Sequence, residues 1–130
     1  MKKMKTLIFS LVAISFAIST VLVSTTWAHE PIKVSGYLVD KICAAHHVKD
    51  NKADATKFSS QHTKECGLMD DCVKSGYGIF SEGKWYEFDE KGSKLALAIF
   101  EKTKNNDQIK VTVEGQLHEG KIMVEKLTAE

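Results

Sequence analysis

Arginine is absent from this 130-residue sequence. Its planar guanidinium is the usual group for bidentate contacts with guanine, phosphate and carboxylate groups. Lysines and acidic residues are interspersed rather than gathered in blocks, and the formal net charge is only +1. A chain with this charge pattern is a poor candidate for nucleic-acid binding, so we predict no nucleic-acid partner.

Several motifs of known chemistry are also missing from the sequence. It contains no Cys-x-x-Cys-His motif for haem attachment, no thioredoxin-type Cys-x-x-Cys, no serine-centred motif and no phosphate-binding loop. A nucleophilic cysteine needs a lowered pKa, whereas the acids Asp70 and Asp71 before Cys72 would raise the pKa of that thiol. We therefore predict no haem and no enzymatic activity.

Residues 1–28 have the charged, apolar and small-residue order of a secretory signal peptide. Three lysines lie within the first five residues, residues 7–23 are almost wholly apolar, and Ala28 ends a plausible cleavage site. The alternative is an uncleaved anchor, since the apolar run approaches the roughly 18 residues typical of a membrane span. Interspersed serines and Thr26-x-Ala28 favour cleavage. We predict a periplasmic or secreted protein whose single domain, 29–130, has no stable membrane span.

Alternation of apolar and polar residues predicts five strands, at 32–39, 77–81, 84–89, 108–117 and 121–127. A helix over 93–104, with Ser93 as its N-cap, separates the third strand from the fourth. Turns at 82–83 and 118–120 predict two hairpins. This is the element order of an OB-fold, a five-stranded Greek-key barrel, here in an α+β chain. An open α+β sheet with the same order is the alternative.

The segment between the first two strands is predicted to be a helical insertion rich in cysteine and histidine. Asp40 is expected to cap a short helix or turn, and 48–56 reads as a polar surface loop. The stretch 58–75 is predicted to be helical, with a possible interruption at Gly67. On a continuous helix, His62 and Cys66 would share one face because they are four residues apart.

This insertion carries our candidate metal site. Thiolate and imidazole donors suit zinc or copper better than calcium or magnesium. One pair of donors stands one helical turn apart at Cys43 and His46, and a second pair at His62 and Cys66. The candidate ligands are Cys43, His46, His47, His62, Cys66 and Cys72.

The three cysteines allow a second interpretation, in which one disulfide fastens the insertion and one thiol remains. Disulfides are common in small exported domains. A bridge between Cys66 and Cys72 would require a helix break at Gly67, because six helical residues span about 9 Å and a disulfide tolerates a Cα separation of about 7 Å. Cys43 is therefore the expected partner of Cys66 or Cys72. The two interpretations can coexist.

Two further possibilities lie outside the insertion. Cleavage after Ala28 would make His29 the first residue, and its amine and imidazole together could chelate copper if another histidine lay nearby. The barrel could instead be a disulfide-stapled module that binds a glycan, peptide or protein without a metal. Trp85 is then the candidate surface ring, while Tyr86 faces the core.

Four segments carry a resemblance to a known family: GYLVDKICAAHH, HTKECGLMDDCVKSGYGIF, GKWYEFD and IKVTVEGQLHEGKIMVEKL. They resemble a family of small exported, largely uncharacterised bacterial proteins with a Gly-x-x-x-Asp-x-x-Cys start, a Cys/His-rich insertion and an OB-like strand pattern. The last two cysteines stand further apart here than in that family. The resemblance implies the fold and export, and it implies no activity.

Overall fold

The computed structural model describes residues 29–50 and 52–130, so the predicted signal peptide lies outside the described residues and stays a prediction. The elements follow in the order β1 (Glu30–Asp40), α1 (Lys41–His47), α2 (Ala55–Gln61), α3 (Lys64–Gly67), α4 (Asp70–Ser75), β2 (Tyr77–Ser81), β3 (Lys84–Phe88), α5 (Glu90–Lys102), β4 (Lys110–His118) and β5 (Lys121–Ala129). Within the described part of the chain, no helix is both long and apolar enough to cross a membrane.

The five strands form a closed barrel in the order β1-β2-β3-β5-β4, and β4 pairs back with β1. All pairings are antiparallel except the short parallel contact between β3 and β5. With α5 between β3 and β4, this confirms the predicted OB-like α+β barrel. The open sheet is excluded because the barrel has no free edge.

β1 changes partner along its length, and this change places the insertion. Its first part pairs with β4 from Glu30 to Tyr37, and its last part pairs with β2 from Tyr37 to Asp40. At Gly36 a side chain would put its Cβ 2.2 Å from the carbonyl oxygen of Phe80, so only glycine allows the strands to approach this closely. The chain then leaves the barrel directly after Asp40.

The core has two parts. The main cluster fills the barrel and includes Leu38, Tyr77, Phe88 and Phe100, all essentially inaccessible to solvent. A smaller cluster joins the insertion to the outside of the barrel and consists of Val39, Ala44, Val48, Ala55 and Phe80. The insertion is therefore packed onto the barrel by apolar contacts as well as by hydrogen bonds.

The start predicted for the helix between the third and fourth strands was wrong. α5 begins one turn earlier than predicted, because the side chain of Asp89 accepts a hydrogen bond from the amide of Gly92 and acts as the N-cap. The hydroxyl of Ser93 instead accepts from the amide of Tyr77 at 3.1 Å. The stretch 58–75 has the predicted break after Gly67, where α3 ends, and also a second break at His62 and Thr63, so it consists of three short helices.

Candidate metal centre

Asp40 connects the barrel to the insertion. It is the last residue of β1, is fully buried, and caps α1 by accepting a hydrogen bond from the amide of Cys43 at 2.9 Å. Its other carboxylate oxygen lies 2.7 Å from Nε2 of His62. Burial alone would raise the pKa of Asp40, but the hydrogen bonds from His62 and from the Cys43 amide outweigh burial and lower it. Asp40 is therefore a buried carboxylate that remains ionised.

His62 lies just beyond the end of α2, in an extended conformation. Its side chain is almost completely buried and its ring makes an edge contact with Phe100. Asp40 holds Nε2, while Nδ1 is buried without a hydrogen-bond partner among the described residues. A buried imidazole nitrogen without a partner is costly, and a bound ion is one way to satisfy it.

Cys66 is held by a short helix that three contacts fix in place. Thr63 caps α3 by accepting from the Cys66 amide at 3.1 Å. Gly67 lies against the ring of Phe100, where an added Cβ would come within 2.5 Å of the ring. The buried hydroxyl of Tyr77 donates to the carbonyl of Gly67 at 2.6 Å. The position of Cys66 is thus set by the barrel core.

Cys43 and Cys66 meet at the mouth of this site. Their sulfurs are 3.5 Å apart and both residues are half-buried. A disulfide requires about 2.05 Å, and all three cysteines of the structure are free thiols. The predicted disulfide is therefore not present in the structure, although Cys43 and Cys66 are neighbours as the sequence suggested.

Four residues of three different types converge here: Asp40, Cys43, His62 and Cys66. One potential ligand atom from each lies within 4.8 Å of all the others. Asp40 and His62 are buried, while the two cysteines are partly accessible, so the group is open towards the cysteines. Two sulfurs, one nitrogen and one oxygen form a donor set that can hold a metal ion. We call these four residues the Asp-Cys-His-Cys group.

The remaining candidate ligands lie outside this group. Cys72 is buried, and burial together with the nearby Asp40 carboxylate raises its pKa to about 12. His46 and His47 are exposed at the end of α1, with ring centroids 6.3 Å apart. The ring of His47 stacks on Phe58 at 4.3 Å. The structure brings together Cys43, His62 and Cys66 of the six candidates.

The Cys43 thiol is not activated as a nucleophile. Burial, the negative charge of Asp40 and the neighbouring Cys66 thiol raise the pKa of Cys43 far above its usual value. A thiol in this environment stays protonated at neutral pH. It becomes a ligand only when a metal ion replaces its proton.

No family model matches the chain, and no curated protein or solved structure is significantly similar to it. The resemblance to small exported bacterial proteins stays a prediction.

Asp40 is the functional residue that the sequence reasoning missed as a possible ligand. We predicted it only as a helix cap, which it is. The available signal was its place three residues before Cys43, which puts a carboxylate and a thiol at the same helix start. Its approach to His62 depends on how α2 ends, which no local pattern shows.

Trp85, our candidate surface ring for a metal-free binding module, does not stand free on the surface. It is half-buried and packs against the smaller core cluster beside Phe80. Its indole nitrogen is buried without a hydrogen-bond partner among the described residues. Together with the free thiols, this removes the two features on which a disulfide-stapled module with an exposed Trp85 depended.

Proposed function

We propose that this chain is an exported protein that binds one soft or borderline metal ion, zinc or copper, through the Asp-Cys-His-Cys group. The observation that carries the proposal is the convergence of four donors from β1, α1, the end of α2 and α3 within 4.8 Å. Such donors are rarely gathered by packing alone, because buried ionisable groups are costly unless they are paired or bind an ion.

The spacing of the two sulfurs supports this proposal. Two thiolates bound to one tetrahedral zinc ion, at about 2.3 Å each, lie roughly 3.8 Å apart. Cys43 and Cys66 already approach to 3.5 Å. Binding would therefore need only a few tenths of an ångström of movement, because the two cysteines start from nearly the required separation.

Asp40 supports the site whether or not its oxygen binds the ion directly. A carboxylate that holds one nitrogen of a histidine fixes the ring and makes the other nitrogen a better ligand. Asp40 makes such a contact with Nε2 of His62, and Nδ1 has no other partner among the described residues. Loss of Asp40 is therefore expected to weaken metal binding in either arrangement.

The test is metal analysis of untagged protein recovered from the exported fraction. We expect at least one zinc or copper ion per chain by elemental analysis and native mass spectrometry, and an intact mass that lacks residues 1–28. Competition with a chromophoric chelator should show at least about tenfold weaker binding for Cys43→Ser and for Cys66→Ser, since even the loss of an outer partner costs about 10–100-fold.

Matched controls separate ligation from general damage. Cys72→Ala removes the third thiol, which is buried in the same region but lies outside the group, and it should retain one ion. The double variant His46→Ala/His47→Ala should also retain it. Wild-type protein that binds zinc and copper no more tightly than the variant Cys43→Ser/Cys66→Ser would refute the proposal.

A further inference from the structure

Two histidines, His29 and His118, lie at the opposite end of β1 from the Asp-Cys-His-Cys group. β1 pairs with β4 from Glu30 opposite Leu117 onward, so the register places His29 beside His118. His118 is the last residue of β4, and a tight turn of Glu119 and Gly120, both with positive φ, follows it. Such two-residue turns are characteristic of tight hairpins, so His118 is held by rigid backbone.

The two imidazole rings are close enough to share one ion. Their centroids are 5.0 Å apart and their planes are tilted by 43°, so they do not stack face to face. Metal–imidazole bonds are about 2.0–2.1 Å, so two nitrogens at adjacent positions of one ion lie roughly 3 Å apart. Rings with centroids 5.0 Å apart can place one nitrogen each at about that separation.

Cleavage after Ala28, the predicted signal-peptide site, would add a third nitrogen to this pair. The α-amine of His29 and a nitrogen of its own ring can then chelate one ion, and His118 completes the set. We propose that the mature chain binds Cu(II) through the α-amine and imidazole of His29 and the imidazole of His118. Three nitrogens suit the tetragonal geometry that Cu(II) prefers.

The surroundings of the pair suit a cation. The carboxylate of Glu119 lies 3.8 Å from Nε2 of His118 and brings negative charge to the site. His29 is exposed and the side chain of His118 is 35% exposed, so an ion reaches both from solvent. This site shares no residue with the Asp-Cys-His-Cys group, and the inference stands if that group binds no metal.

The test uses the full chain, exported with its own leader and carrying Cys43→Ser/Cys66→Ser so that copper cannot bind at the two thiols of the Asp-Cys-His-Cys group. Intact mass must show His29 as the first residue. Cu(II) titration against a competing chelator should then give one copper per chain, with nitrogen hyperfine splitting in its EPR spectrum. His29→Ala and His118→Ala should each bind at least about tenfold more weakly, since even an outer-partner loss costs about 10–100-fold.

Two controls make the result specific to this geometry. Acetylation of the α-amine, selective at near-neutral pH because the ordinary pKa of an α-amine is about 2.5 units below that of lysine, should weaken binding as much as His118→Ala does. His46→Ala/His47→Ala should change nothing. If the serine variant does not fold, the same EPR measurement is made on protein with intact cysteines, in which saturating zinc occupies the Asp-Cys-His-Cys group before copper is added. A different first residue, or copper affinity unchanged by His118→Ala or by acetylation, would overturn the proposal.

Discussion

Asp40 is the residue whose replacement should most clearly separate the roles that the structure gives it. In Asp40→Ala, α1 loses the carboxylate that caps it by accepting a hydrogen bond from the Cys43 amide. The loss of this N-cap costs about 1 kcal/mol. The same change leaves both ring nitrogens of buried His62 without a partner among the described residues, which costs a further 1–3 kcal/mol or so. We therefore expect the free energy of unfolding to fall by about 2–4 kcal/mol.

Comparison with Asp40→Asn separates the loss of the charge from the loss of the hydrogen bonds. Asparagine caps helices about as well as aspartate, and its second polar atom can still contact His62. We expect a loss of less than about 1 kcal/mol at pH 7, since only the charge on the hydrogen bond is removed. Urea unfolding followed by circular dichroism, with a chelator and a reductant present, measures both values without a contribution from metal.

Asp54→Ala provides the matched control. Asp54 stands at the N-cap of α2 but makes no capping hydrogen bond with its side chain, so its loss should change stability by less than about 0.5 kcal/mol. Equal stabilities of Asp40→Ala and Asp40→Asn would refute the reasoning. The same conclusion would follow if Asp40→Ala were no more destabilising than Asp54→Ala.

The lowered pKa of Asp40 adds a pH dependence to this comparison. A carboxyl whose pKa is lower in the folded state stabilises the fold above its unfolded pKa, about 3.9. That contribution is lost as the pH falls through the lower folded value. The stability advantage of the wild type over Asp40→Asn should therefore shrink as the pH falls below about pH 4. An advantage that grew between about pH 4 and pH 2 would contradict the assigned shift.

Three further predictions follow from the contacts that hold the site. Gly67→Ala should cost about 1–3 kcal/mol in urea unfolding, because its Cβ would overlap the buried ring of Phe100; an unchanged midpoint would contradict that packing. Tyr77→Phe should cost about 1–3 kcal/mol in the same assay, because the buried Gly67 carbonyl loses its donor at 2.6 Å; a neutral effect would show that the bond is not formed. Removal of metal by a chelator should lower the melting temperature of the wild type loaded with zinc, since an ion bound only by the folded state stabilises it, and it should lower the melting temperature of Cys43→Ser by less.

The barrel could be predicted from the sequence because its signals are local. Alternating residues mark the five strands, and the Glu82-Gly83 and Glu119-Gly120 turns fix two hairpins. The remaining pairings then follow from the known order of an OB-fold. The start of α5 was misplaced because Ser93 and Asp89 are both good caps, and the choice depends on Asp89 also accepting from the distant Val124 amide.

The site could be predicted only in part, because its geometry depends on contacts between distant segments. His62 and Cys66 were expected on one helix face, but α2 ends before His62 and a capping Thr63 begins a new helix. His62 and Cys66 still lie beside Asp40 and Cys43. The barrel holds α3 in place through Tyr77, which is ten residues away from Gly67 in the sequence. Spacing alone does not distinguish a shared helix face from two helices joined by a turn.

The same contacts that fold the insertion also assemble its donors. Asp40 must find hydrogen-bond partners because it is an ionised carboxylate buried at the end of a barrel strand. One partner is the start of α1, which carries Cys43, and the other is His62, which precedes the helix of Cys66. Satisfying one buried charge therefore brings both thiols together at 3.5 Å. Without an ion, the arrangement keeps Nδ1 of His62 buried and without a partner among the described residues. A metal ion bound at this nitrogen would give it a partner, which is the physical argument for the proposed ligation.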